Sequence, residues 1–191
     1  TEDGGIEVTV TGTAAATDLT AIAAATSGTI TASGVTTITG TAAEIMAAHD
    51  DSSELSSIDT DFEATVTGTA AATDLTALAA ATSGTITASG VTTITGTAAE
   101  IVAAHDNGEL GTIDGDFAAT LSGNTSVANQ ASIDDLTTGI ITATIAEGDM
   151  ATLASLVDAN NNNALTVTVT DTTVAAADLN TLDGKTSVAI N

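Results

Sequence analysis

The stretch Val66-Thr67-Gly68-Thr69-Ala70-Ala71-Ala72-Thr73-Asp74-Leu75-Thr76-Ala77-Leu78 decides how this chain must be read, because residues 10–22 carry almost the same words. The copy extends further. Residues 10–45 recur as residues 66–101, with Ile22 replaced by Leu78 as the main change. Within this duplication lies a finer period. Gly12, Gly40, Gly68 and Gly96 each follow the last by 28 residues, and Gly123 comes 27 later. Two weaker copies, around Thr144 and from Thr166 to Asp171, bring the total to about seven rungs. Self-similarity of this kind marks a repeat architecture, in which each unit buries its apolar face on its neighbours.

Each unit reads as three parts. A strand such as Val8-Thr9-Val10-Thr11 alternates apolar and polar residues with a period of two. An Ala-rich segment follows, with Leu19 and Ile22 spaced as one helical face would need. Leu75 with Leu78, Leu153 with Leu156 and Leu179 with Leu182 repeat that pair. In alternate units Thr41-Ala42-Ala43-Glu44 and Thr97-Ala98-Ala99-Glu100 have the form of a helix capping box. A second short strand, Gly28-Thr29-Ile30-Thr31, closes the unit. Stacked units would align Ile30, Ile58, Ile86, Ile113 and Ile141 in one aliphatic column. Val10, Ile38, Val66, Ile94, Leu121, Ile145 and Val169 would form another. The fold class this predicts is a mainly-β solenoid of about seven coils of 28 residues, each strand, short helical segment and strand. It is read as one elongated domain over residues 1–191, regular over 7–123 and degenerate over 124–191, with Asn160 to Asn163 as a loop or bulge.

Composition agrees with a thin, repetitive core. Two Phe are the only aromatics, and Pro, Cys, Trp and Tyr are absent. Core volume must come from Val, Ile, Leu and Ala. Pro would remove a ladder donor. Twenty-five acids stand against one Lys, Lys185, for a net charge of −24. Such a field disfavours nucleic acid and anionic membranes as partners. It suits divalent cations or high salt outside a cell. No apolar run is long enough for a membrane span. The chain opens at Thr1 without a visible signal peptide, as a processed or excised piece would.

Two features could carry function. The first is a Thr-x-Thr array on the outward strand face: Thr9 with Thr11, Thr37 with Thr39, Thr65 with Thr67, Thr93 with Thr95, and Thr168 with Thr170. Thr120 with Ser122 and Thr142 with Thr144 continue it. Alternate residues of a strand sit about 7 Å apart and neighbouring strands about 4.8 Å apart, so such pairs would make a regular grid. The plain alternative is that Thr is a good exposed strand residue. The second feature is the acidic turn of alternate units. It runs from His49-Asp50-Asp51 past Glu54 to Asp59 and Asp61, and again from His105-Asp106-Asn107 past Glu109 to Asp114 and Asp116. Carboxylates at Asp50, Asp59, Asp61, Asp106, Glu109, Asp114 and Asp116 could hold Ca²⁺, a hard cation that prefers oxygen. The spacing does not match an EF-hand. The plain alternative is a solvated edge that blocks aggregation. His49 and His105 are duplicates at helix ends and read as surface residues.

Catalysis finds no support. No Ser stands in a G-x-S-x-G turn, and Lys185 belongs to no phosphate-binding loop. A catalytic residue is rarely copied together with its whole neighbourhood.

Thr41-Ala42-Ala43-Glu44-Ile45 and Ala176-Ala177-Asp178-Leu179-Asn180-Thr181-Leu182-Asp183-Gly184 resemble repeats of very large Thr/Ala-rich surface proteins of marine bacteria, cyanobacteria especially. They also resemble repeats of phage tail fibres. The Leu-Asn-x-Leu-Asp-Gly form is kept only in the last copy. The first resemblance implies a Ca²⁺-associated surface or matrix role. The expectation is therefore a non-enzymatic structural or adhesive segment, an acidic extracellular rod or filament piece. It would stack end to end on neighbouring copies or further repeats. The alternatives are ice binding through the Thr-x-Thr grid, which resembles the face of antifreeze solenoids, and a trimeric phage fibre shaft.

Overall fold

A computed structural model of the chain describes residues 5–51, 55, 58–111, 113–159 and 162–191. Asn160, Asn161 and Glu54 lie outside the described residues. Strands and helices alternate throughout: β1 (Val8–Ala15), α1 (Ala16–Ala25), β2 (Ile30–Gly40), α2 (Ala42–His49), β3 (Glu63–Ala71), α3 (Ala72–Ala81) and β4 (Ile86–Gly96). The series continues with α4 (Ala98–His105), β5 (Ala118–Thr125), α5 (Val127–Asp134), β6 (Ile141–Ile145), α6 (Met150–Leu153), β7 (Ala164–Thr166) and α7 (Ala176–Asp183). The strands follow sequence order in the sheet, and β1 with β2, β2 with β3, β4 with β5, β5 with β6 and β6 with β7 pair in parallel. Parallel neighbours need a crossover, and the Ala-rich helices supply it.

The fold is therefore α/β, and the expected mainly-β solenoid is overturned. Two features explain the difference. The segments around Ile30 and Ile38, which periodicity predicts as two strands, are the two ends of one bent strand, β2, and β4 repeats this with Ile86 and Ile94. In the alternate units Ile58 and Ile113 are buried, and among the described residues neither belongs to a strand. One strand per helix remains. Both aliphatic columns nonetheless reach the interior at Ile30, Ile38, Ile86 and Ile94.

The residues pack into two compact units, Thr1–Val91 with Asn107–Asp114, and Thr92–Asp106 with Gly115–Asn191. In the first, Val8 pairs with Ile30 and Ala14 with Ile38 across two register shifts. Gly12 and Gly68 hold φ of +77°, so the bends inside β1 and β3 need a residue without Cβ. Leu19, Leu75 and Leu78 are buried beneath the helices, as their spacing predicts. Phe62 is 1% exposed and fills the turn before β3. The His49 ring lies against it, tilted by 38°, with ring centroids 5.6 Å apart.

The second unit repeats these devices. Phe117 is fully buried, with His105 at 6.2 Å. Its later part replaces aliphatic packing with buried polar groups. The Gln130 side chain donates to the Val157 carbonyl at 2.8 Å and accepts from the Val157 amide at 3.3 Å. Asn163 donates to Asp134 at 3.0 Å and accepts from the Ile141 amide at 2.8 Å. The degenerate sequence thus buys its order with side-chain amides in place of Ile and Leu.

One contact recurs in both units. After α3, the Thr82 hydroxyl donates to the Phe62 carbonyl at 2.5 Å and accepts from the Gly84 amide at 3.0 Å. The Ser83 amide donates to the Thr60 carbonyl at 2.8 Å. After α5, Thr137 donates to the Phe117 carbonyl, and the Thr138 amide donates to Gly115 at 2.7 Å. A Cβ on Gly84 would stand 2.2 Å from the Phe62 carbonyl oxygen, and one on Gly139 2.2 Å from that of Phe117. Backbone thus lies directly on backbone. Gly84→Ala should lower stability by about 2–3 kcal/mol, since the obstructing atoms are main chain and cannot swing away. Gly108→Ala, with nothing within 4 Å of the new Cβ, is the matched control. Urea unfolding midpoints of the two variants test this; equal midpoints would refute the close approach.

Candidate functional site

The sheet presents Thr and Ser outward. Thr9, Thr31, Thr67, Thr87, Thr120, Thr142 and Thr144 are exposed. The ladder fixes which of them adjoin. In the first unit Thr9 lies beside Thr31, Thr13 beside Thr37, and Thr39 beside Thr65. Thr11 lies beside Gly34, and Thr37 beside Glu63, to which its hydroxyl donates at 3.4 Å. In the second unit Thr95, Thr120 and Thr142 are successive partners, while Thr93 faces Ala118. Thr168 and Thr170 are exposed but follow β7 outside any strand. The structure therefore builds short Thr columns, interrupted by a carboxylate, a Gly and an Ala. The bends in β1 and β2 shift the register, which spacing alone does not reveal.

The acidic turns lie at the other ends of the crossovers. Asp59, Asp61, Asp114 and Asp116 are exposed and flank the buried Phe62 and Phe117. Asp50 and Asp106 each meet the Nδ1 of the preceding His at 3.1 Å. Glu109 is exposed, and its amide donates to the Asn107 side chain at 3.0 Å. Among the described residues no three His, Asp or Glu side chains come together as a metal shell requires. His49 and His105 are not free surface residues. Each is roughly three-quarters buried at its side chain, against the only two aromatic rings of the chain. The sequence signal was present, since both Phe follow their His at nearly equal distance in the two copies.

Helix starts carry the other resolved electrostatic feature. The Glu44 carboxylate accepts from the Thr41 amide at 2.8 Å while the Thr41 hydroxyl accepts from the Glu44 amide at 3.3 Å. Glu100 and Thr97 repeat both distances. The backbone hydrogen bond from Thr41, followed by that of its side chain, holds the Glu44 carboxyl below its ordinary value of 4.5, and Thr97 does the same for Glu100. Asp149 is lowered first by the Thr152 backbone bond and then by the Thr152 side chain. These acids are engaged in capping the helix starts.

The described strands never reverse their order, so the sheet lacks the switch-point crevice at which doubly wound sheets bind ligands. A cavity of about 280 Å³ lies between α6 and α7 in the second unit, lined by Met150, Leu153, Asp178, Thr181, Leu182 and Lys185. No helix among the described residues is long and apolar enough to cross a membrane.

The capping acids set a pH dependence with a definite sign. Their folded value is depressed, so their contribution is complete above 4.5 and is lost as pH falls through the folded value. Parent protein should melt higher than Glu44→Gln/Glu100→Gln at neutral pH, and the gap should close as the pH falls through the depressed folded values. Glu7→Gln/Glu109→Gln removes the same charge away from either capping box and serves as the control for net charge. A parent-to-variant gap that stays constant with pH would exclude the capping account. Comparison with protein-family models, curated proteins and solved structures finds no match to this chain.

Proposed function

We propose that this chain is a structural and adhesive repeat segment of a larger extracellular protein, an acidic spacer at a cell surface or in a matrix. The observation that carries this reading is that the duplicated residues do the same internal work twice. Thr41 with Glu44 and Thr97 with Glu100 make the same cap. Thr82 to Phe62 and Thr137 to Phe117 make the same tie. Residues spent on joining consecutive strand–helix modules are what a scaffold requires, whereas a catalytic residue is rarely copied together with its whole neighbourhood. The charge of −24 keeps such a scaffold soluble and apart from anionic surfaces.

Further repeats or neighbouring copies are the partners this reading implies. Leu179 of α7 is 37% exposed, although Leu19, Leu75 and Leu153 at the corresponding helix positions are fully buried. Val188 is exposed to the same extent. A following module would cover both. Ice binding is the second reading, and the column Thr95, Thr120, Thr142 favours it. Glu63 within the first unit's face weakens it, because a carboxylate holds water differently from a row of methyl and hydroxyl groups.

Protease treatment of intact source cells tests the location. The chain should be clipped from unbroken cells and yield fragments in the wash. Full protection until lysis would defeat the proposal.

A further inference from the structure

We infer that Asn107 is a self-modifying site, which loses its side-chain amide through attack by the following backbone nitrogen and turns the second acidic turn into the charge pattern of the first. The turns of the two copies read His49-Asp50-Asp51 and His105-Asp106-Asn107. Asn107 therefore stands where the first copy has an aspartate. It is followed by Gly108, and this is the sole Asn-Gly step in the chain.

Three observations make this step reactive. Gly108 is exposed, and a Cβ there would meet nothing within 4 Å, so water and base reach this step freely. Glycine also offers the attacking nitrogen no side-chain shield and the widest backbone freedom. The Glu109 amide donates to Asn107 Oδ1 at 3.0 Å. That bond folds the carboxamide back over its own turn and places a donor on the oxygen where negative charge develops during attack. Buried Leu110, whose amide donates to the Asn107 carbonyl at 3.1 Å, anchors the turn from the far side.

The chemistry balances with water alone. The Gly108 nitrogen gives its proton to base and bonds to Asn107 Cγ. The amide nitrogen leaves as ammonia, and a five-membered imide remains. Water then opens either imide carbonyl, giving aspartate or its backbone-shifted isomer isoaspartate. Each event adds one negative charge. The aspartate product restores the Asp-Asp pair of the first copy, while isoaspartate inserts a methylene into the main chain of the turn.

The test follows residues 101–109 after cleavage at glutamate, a peptide whose one asparagine is Asn107. Intact protein is held in mildly alkaline buffer at physiological temperature and sampled for mass and for isoaspartate by enzymatic methylation. Asn124 and Asn180 serve as internal references. Asn107 should convert ahead of both, with isoaspartate present. Gly108→Ala should slow conversion by about tenfold, because Ala narrows the backbone freedom the attack needs. Circular dichroism establishes that this variant is folded. An unchanged peptide, conversion no faster than at the reference sites, or equal rates in parent and Gly108→Ala would each overturn the inference.

Discussion

The hydroxyl of a threonine at a helix exit, bonded to a carbonyl twenty residues earlier, is the contact on which this fold depends. Thr26 reaches Ile6 at 2.7 Å, Thr82 reaches Phe62, and Thr137 reaches Phe117. The sheet ladder begins immediately afterwards in each case. The Val8 amide donates to Thr29, Ala64 to Thr85, and Ala119 to Ile140. The tie therefore sets where the next strand enters. A parallel strand has no tight turn to fix its register, so some other device must supply it. Here a side chain and a glycine do so. Thr186 carries the device into the last module by accepting from the Leu165 amide at 2.9 Å and donating to the Leu165 carbonyl at 2.8 Å, although Val188 stands where the others have glycine.

This contact explains which parts of the structure could be read in advance. The capping boxes were legible because Thr41 and Glu44 interact within one helical turn, and spacing fixes such pairs. Burial of Ile38, Ile94 and Leu75 was legible because apolar periodicity reports which face turns inward. Strand count was not legible. Alternation around Ile30 and Ile38 states that both segments are extended, but not that they belong to one strand bent at Ser33-Gly34. The ties were visible as Thr26-Ser27-Gly28, Thr82-Ser83-Gly84 and Thr137-Thr138-Gly139. Their meaning was hidden, because Thr, Ser and Gly also compose ordinary loops.

The candidate site was half legible for a related reason. Outward Thr residues follow from the period of two, and exposure of Thr9, Thr67 and Thr142 agrees with it. Adjacency between strands depends on register, and register depends on bends. The period of two sets Thr37 in line with Thr9 and Thr11, yet its strand neighbours are Thr13 and Glu63. A grid cannot be drawn from a repeat length when the steps between strands are unequal.

Those unequal steps also account for the aromatic residues. Val8 to Ile30 and Ala119 to Ile141 span 22 residues, whereas Thr37 to Glu63 spans 26 and Thr93 to Ala118 spans 25. The longer crossovers contain the acidic turns, and their helices α2 and α4 are short and rich in Ala. Added chain around a slim helix leaves volume that Ala and Ile cannot fill at interior density. Phe62 and Phe117 fill it, and His49 and His105 cover the rings while turning a nitrogen toward Asp50 and Asp106. The two Phe and two His thus belong to one solution of one packing problem, used once per 56-residue pair. That solution places the carboxylates of the turn outward around an aromatic anchor, so the acidity of the surface and the order of the core arise from the same segment.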